Sequence, residues 1–365
     1  MTDNAPVSRR TFLTTGIAAT TMLAGCSGNS NSQSGTSSPT STTPALSEFS
    51  YPDGATEDGI DWETLFNTHK STVTEADSVT AQTDVTIDRG EQTTTQLGTS
   101  KFNAGDVWRE TQKSFSNTEK TVTLWSPNSR DKAYSQISSE GKTAYQIGSD
   151  VPSPQTAMGL DLIKDSLKRF EWGEATEVVK LQNGTGVRYE ATGKNSPLVP
   201  ESASNVEFTA TVTVLESGFI GRNTGQISST DKNGTERTQE LTATISAVGD
   251  TSIQKPDWAS TAMENGFEFR TEPTDDRTAV QLTLANGSQL PTESRVALST
   301  DQDRGSAPFP EPVTEGDTLY LGLSETGELQ IAENGPPANT VELDSRTLVS
   351  VYHNDLTVLS RVIEL

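Results

Sequence analysis

The run Phe208-Thr209-Ala210-Thr211-Val212-Thr213-Val214 alternates apolar side chains with threonine without a break. Successive side chains of a strand point to opposite faces, so this spacing predicts a strand with one buried and one solvated face, as in an antiparallel sheet. Working outward, the same period of two recurs on both sides. Runs at 175–182 and 185–192 meet at Asn183-Gly184, a strong hairpin signal, and runs at 218–228 and 235–248 are divided by Asn233-Gly234. Farther upstream, Val79, Ala81, Val85 and Ile87 share one strand face. Further strand-like runs follow at 92–102, 107–115, 118–125, 132–138 and 142–148, broken at Asn103-Ala104-Gly105-Asp106, Pro127-Asn128 and Glu140-Gly141. The pattern is two meanders.

Each meander is preceded by a helical stripe. Trp62, Leu65, Phe66, His69, Val73 and Ala76 follow the i, i+3, i+4, i+7 spacing behind Asp61, a suitable N-cap. Within 155–171, Leu160, Ile163, Leu167 and Phe170 form a second stripe, with Pro152 and Pro154 as start signals. One broad antiparallel sheet curved over both helices would bury both stripes, which predicts an α+β half-barrel over 51–258. Trp62, Leu65, Phe66, Leu160, Ile163, Leu167 and Phe170 are then the candidates to line any cavity between helices and sheet. From 266 to 365 the pattern is strands only, with runs at 266–270, 278–285, 294–300, 317–324, 328–332, 340–343, 346–352 and 356–364. A Pro-rich stretch from Pro308 to Pro312 lies among the breaks. That count of short strands in about 100 residues predicts an all-β, immunoglobulin-like sandwich.

The N-terminus is of another kind. Ser8-Arg9-Arg10-Thr11-Phe12-Leu13 precedes a short apolar run ending in Leu23-Ala24-Gly25-Cys26. The 15 residues from Thr11 to Gly25 are too few for a spanning helix, which needs about 20. Residues 8–13 resemble the twin-arginine export consensus, with Arg9 and Arg10 as the pair, and Leu-Ala-Gly-Cys resembles a lipobox. The resemblance implies a signal peptide over 1–25, export of the folded chain, and lipidation of Cys26, which would place the protein on the outer face of the cell membrane. Cys26 is the only cysteine, so neither an intrachain disulfide nor a cysteine-based metal site exists. Residues 26–50 read as a stalk, since 27–47 hold twelve Ser or Thr and no apolar period.

The order of elements in 51–258, closing with a long hairpin and then Pro256-Asp257-Trp258, resembles the lipoprotein-carrier (LolA/LppX-like) half-barrel fold. That resemblance implies a space able to hold acyl chains or lipidated partners. The opening Tyr51-Pro52-Asp53-Gly54-Ala55-Thr56-Glu57-Asp58-Gly59-Ile60 resembles the start of an uncharacterised family of haloarchaeal surface lipoproteins.

Composition fits an exported surface protein. Fifty acidic against 27 basic residues give a net charge of −23, which argues against nucleic acid, whose phosphates would be repelled, and against peripheral binding to anionic lipid. Apolar residues make up only 31% of the chain, yet their periodicity beyond residue 50 argues against disorder. The acid-rich, lysine-poor surface resembles that of haloarchaeal proteins, in which concentrated salt screens the repulsion.

Catalytic chemistry is absent from the pattern. The two histidines, His69 and His353, fall on a helical stripe and at a hairpin turn, where a structural role is expected, and no Gly-x-Ser-x-Gly presents a serine. Asp53, Glu57, Asp58 and Asp61 do not follow calcium-loop spacing, so no metal is expected and no cofactor is implied. Asn183, Asn233 and Asn286 open Asn-Gly-Thr/Ser sequons and are candidates for N-glycosylation, although Asn-Gly turns alone explain them. Two functions remain open. One is a non-enzymatic, lipid-anchored surface protein, in contact with other envelope proteins, that binds a lipid or other apolar ligand in its half-barrel. The other is a structural or adhesive envelope protein without a small-molecule ligand.

Overall fold

In the computed structural model, residues 44–364 are described, apart from 91, 116–117, 129–131, 149–150, 194–203 and 232. The expected signal peptide with Arg9 and Arg10, Cys26, and most of the expected stalk lie outside the described residues. The packed structure begins slightly earlier than the sequence suggests: a 3-10 turn at Leu46–Glu48 brings Phe49 into the core.

A two-stranded ribbon, β1 (Ala55–Thr56) and β2 (Gly59–Ile60), leads into helix α1 (Trp62–Glu75). Six antiparallel strands follow: β3 (Ser78–Arg89), β4 (Gln92–Asn103), β5 (Asp106–Phe115), β6 (Thr118–Ser126), β7 (Ala133–Ser139) and β8 (Lys142–Gly148). Next come α2 (Pro154–Ala157) and α3 (Leu160–Arg169). The second meander is β9 (Ala175–Leu181), β10 (Gly184–Gly193), β11 (Ser204–Leu215), β12 (Ile220–Thr230) and β13 (Glu236–Ser246). β13 closes back on β3, so the two meanders fuse into one curved antiparallel sheet with the strand order β8-β7-β6-β5-β4-β3-β13-β12-β11-β10-β9.

Asp61 caps α1 as expected, its carboxylate accepting from the backbone N–H groups of Glu63 and Thr64 at 3.2 and 3.4 Å and from the Thr64 hydroxyl at 2.6 Å. The second helix departs from expectation. It is broken at Gly159, whose φ of +71° ends α2 and starts α3 afresh, a turn the apolar spacing alone does not reveal.

A short helix unmarked in the sequence, α4 (Ala259–Asn265), packs on the face of β7 and β8 turned away from α1 and α3, beside Trp125, Tyr134 and Ile147. Beyond it come β14 (Phe267–Pro273), β15 (Val280–Asn286), β16 (Arg295–Ser299), β17 (Arg304–Pro308), β18 (Thr318–Leu323), β19 (Leu329–Ala332), β20 (Arg346–His353) and β21 (Leu356–Glu364). β17 was not expected, and the run at 340–343 forms only an isolated bridge at Thr340. These strands form two facing four-stranded sheets, β19-β18-β15-β14 and β17-β16-β20-β21. Leu282 and Leu321 on one side meet Val296, Val349 and Val358 on the other in a single core. The sandwich is not a separate body. β14 pairs in parallel with β8 through Phe267–Gln146 and Glu268–Ile147, so one 15-stranded sheet runs through both parts, and β21 packs against β7 and β8.

Candidate functional site

The sheet face that carries α1 and α3 has two zones. In the first, Leu65 and Val73 of α1 and Leu160, Ile163 and Leu167 of α3 close on Val79, Phe102, Val187, Tyr189, Val212 and Val214 of the sheet. Leu65 and Val73 are fully buried, and Leu160, Ile163 and Leu167 nearly so. Trp62 and Phe66 pack half-buried against this cluster, while Phe170 lies outside it, edge-on to Trp172 and tilted against Phe208. The seven residues expected to line a cavity are therefore helix residues packed on the sheet or, for Phe170, at its margin. Two open depressions lie elsewhere, one of about 500 Å³ beside Thr56, Asp58 and Asp61 and one of about 250 Å³ beside Thr300, Asp303 and Asp344.

The second zone lies outward of the helices, on the same face. The helix-covered cluster ends at Ala81, Phe102, Val212 and Ile245, yet their strands continue. Cross-strand register places Ala191, Ala210, Gly225, Leu241 and Val85 in one row across β10, β11, β12, β13 and β3. The next row out carries Phe208, Ile227, Gln239 and Ile87. Val85 and Ala210 are buried in the floor, whereas Ile227, Leu241 and Ile87 are half-buried, apolar and beyond the helices, and half-buried Phe208 lies at the margin against Phe170. The Phe170 ring, 4.9 Å from that of Phe208, marks where helix cover ends. The sequence placed Val85 and Ile87 on one strand face; the alignment of that face with β11 to β13 needed the register.

The motif Tyr51–Ile60 is a structural clamp. The carbonyl of Gly54 accepts from Asp61 N–H at 3.0 Å, the carbonyl of Glu57 accepts from Ala175 N–H, and Thr56 O receives the Tyr189 hydroxyl at 2.7 Å. Together these bonds tie the start of α1 to β9 and β10. Burial raises the Tyr189 phenol, which stays protonated. Among the described residues, no group of three or more His, Cys, Asp or Glu is placed to hold a metal ion.

His69 is fully buried, its Nδ1 accepting from Ile220 N–H at 3.1 Å, with Nε2 enclosed and without a partner. Burial pushes its pKa down to about 3 from an ordinary 6.5. The unfolded chain therefore binds a proton below pH 6.5 that the fold refuses until about pH 3. The His69 contribution is whole above 6.5 and drains away as the pH falls, at about 1.4 kcal/mol per pH unit. His69→Asn, whose amide oxygen stands in for Nδ1, should flatten the slope of unfolding free energy against pH by one proton between pH 4 and 6. Identical slopes for the two proteins would show that His69 titrates normally. His353, half-buried, contacts Ser294 Oγ at 3.0 Å and packs edge-on against Phe267.

The sequons differ in geometry. Asn183 and Asn286 donate their side-chain amide N–H to Ile245 O and Gly266 O, at 3.0 and 2.9 Å, so a glycan on that nitrogen would disturb a side-chain bond to a backbone carbonyl. Asn233 is exposed in the turn between β12 and β13. Asn286 ends a strand that leaves for the other sheet, so it is not in a hairpin. The positive φ at all three sequons belongs to the glycine.

These features define a class: a β-rich protein with a half-barrel sheet, helices on one face, and a β-sandwich built onto its edge. Within that class the chain belongs to the Family of unknown function (DUF7537), whose model matches residues 11–262 and so spans the half-barrel and ends within α4. No curated protein matches the sequence. Among solved structures it is similar to a DUF1329 family protein from Desulfovibrio piger, at 11% identity, TM-score 0.19, covering 54% of this chain and 95% of that one. It is also similar to MucB in complex with MucA, at 11% identity, TM-score 0.20, covering 83% and 94%. The Pseudomonas aeruginosa MucA/MucB complex gives 9% identity, TM-score 0.19, and 82% and 94% coverage.

Proposed function

We propose that this chain is a non-enzymatic, lipid-anchored protein of the outer face of the cell membrane, exported by the twin-arginine route, that holds an apolar ligand on the outer zone of its half-barrel. The observation that carries the ligand reading is half-buried Leu241, Ile227 and Ile87 beyond the reach of the helices, set beside a floor of buried Ala191, Ala210 and Val85, with Phe208 at the margin against Phe170. Apolar side chains left beside solvent in one contiguous strip favour a partner that removes them from water. The ligand therefore belongs outward of α1 and α3, since Leu65, Leu160, Ile163 and Leu167 already fill the space beneath them.

The anchor reading rests on Arg9, Arg10 and Cys26, and the haloarchaeal surface setting on the net charge of −23. Other envelope proteins are the natural partners of such a position. We further read the sandwich as immunoglobulin-like. β15 beside β18 and β16 beside β20 reproduce the B–E and C–F pairings of that fold, although β19 follows its neighbour in sequence rather than preceding it. A structural or adhesive role is the second reading, supported by the closed helix packing and the sheet continuous through both parts. Organic extraction of the Cys26→Ser protein followed by mass spectrometry separates the two. A bound apolar molecule is expected; protein that carries none, and takes up none from vesicles, would leave the structural reading.

A further inference from the structure

The helix-side face of the half-barrel is sorted by charge. Register places Arg109 and Lys113 of β5, Lys120 of β6, Arg89 of β3 and Arg237 of β13 all on this face. No Asp or Glu shares it at the described, register-paired positions of β3–β6 and β10–β13. The carboxylates of the same strands, among them Asp84, Asp88, Glu110, Glu119, Glu236 and Glu240, all point to the opposite face. A chain with almost twice as many acids as bases has thus gathered five cations where no acid answers them, and none of the five makes an ion pair among the described residues.

Leaving cations together without counter-charge opposes folding, so their grouping calls for a compensating anion. Lys113 and Lys120 face each other across β5 and β6, and burial together with Lys113 holds the Lys120 ammonium below its ordinary range. Arg237 is lowered in the same way, by burial and by Arg89. The Nε–H of Arg109 donates to Ser100 Oγ at 3.0 Å, but its Nη2 is buried without an acceptor. Thr83 on the same face, 1% exposed, also has a hydroxyl without a partner.

These cations continue the apolar row. Leu241 pairs with Val85, Val85 with Gln96, Gln96 with Lys113, and Lys113 with Lys120, so one line across the sheet passes from an apolar floor to two ammonium groups. At about 4.8 Å per strand, the apolar stretch from Ala191 to Val85 spans about 19 Å. One leaflet of a bilayer, half of a roughly 30 Å hydrocarbon core, has a similar depth.

We infer that this line binds an anionic amphiphile, an acyl lipid with a phosphate head group, its chain along the row from Val85 to Ala191 and its phosphate over Lys113, Lys120 and Arg109. The inference rests on the ligand reading above and adds to it the head-group charge and the direction in which the molecule lies. The occupant is set by the juxtaposition: a soluble anion would leave half-buried Leu241, Ile227 and Ile87 beside water, and a neutral lipid would leave the cations unanswered.

The test uses the exported chain carrying Cys26→Ser, so that no acyl anchor contributes, with vesicles of phosphatidylglycerol or phosphatidylcholine of identical chains. Lipid recovered with the protein after gel filtration is quantified. The phosphatidylglycerol is expected to bind at least tenfold more tightly, and a double Lys113→Glu, Lys120→Glu variant to abolish that preference. Lys113 is exposed and Lys120 half-buried, so the double variant should fold. Gly225→Trp, at a position with only Thr209 O within 4 Å, should block the floor and weaken both lipids at least tenfold. Equal binding of the two lipids would overturn the head-group inference while leaving an apolar ligand in place. Binding of neither would remove the ligand reading itself. Preference for inorganic phosphate or poly-glutamate over any lipid would overturn the inference in favour of a soluble anion or an acidic protein.

Discussion

Replacing Cys26 with Ser should move the protein almost completely from the membrane pellet to the soluble fraction. Each acyl CH₂ buried in a bilayer contributes about 0.8 kcal/mol, so a lipidated cysteine outweighs anything else residues 1–50 present to the membrane. The apolar run before it is too short to span, and among the described residues no helix is long and apolar enough to cross. Away from the cation-bearing helix-side face, the strongly acidic surface should also be repelled by an anionic bilayer. Wild-type protein should stay with the membrane through a high-salt wash and leave it only with detergent. A Cys26→Ser protein that remained in the pellet would show that a different feature anchors it.

Gly54→Ala should be among the most damaging single-methyl changes in the half-barrel, at about 2–4 kcal/mol. Two effects add. Gly54 has a φ of +85°, where alanine costs about 1 kcal/mol more than glycine. Its added Cβ would also stand 2.2 Å from the Leu65 backbone nitrogen, so the first turn of α1 would have to shift with fully buried Leu65 on it. Gly141→Ala isolates the first effect, since Gly141 has a φ of +77° and nothing within 4 Å. It should cost only about 1 kcal/mol in denaturant unfolding. Equal losses for the two variants would mean that the contact between the Gly54 turn and α1 is loose, and that the Tyr51–Ile60 motif is conformational rather than a clamp.

Much of the fold was readable because most strands are half-buried. The run 208–214 and the face of Val79, Ala81, Val85 and Ile87 both alternate, and α1 announces itself through its stripe and Asp61. What escaped was long-range or locally ambiguous. Nothing near Gly159 in the apolar spacing distinguishes a broken helix from a continuous one, and α4 is only seven residues long. β17 ends at Pro308 and pairs on one side only, so it lacks the pattern of an inner strand. The parallel pairing of β14 with β8 joins residues more than 100 apart, and no local signal encodes it.

The candidate site shows the same division. The seven helix residues were found because helical periodicity marks burial, but burial against the sheet does not distinguish a packed core from a lined cavity. The charge sorting left a signal that was legible in one strand. In β5 the acids Asp106 and Glu110 fall on even numbers and Arg109 and Lys113 on odd ones, so opposite charges already face opposite ways. That Lys120, Arg89 and Arg237 share the face of Lys113 follows only from the register of five strands.

The central claim is that ligand lies on the outer rows rather than beneath the helices, and photolabelling tests it most directly. A phospholipid with a photoreactive group in its acyl chain, bound to the Cys26→Ser protein, irradiated and mapped by peptide mass spectrometry, should mark Val85, Ile227, Leu241 and Phe208. Labels concentrated on Leu65, Leu160, Ile163 and Leu167 would place the ligand beneath the helices and contradict the account.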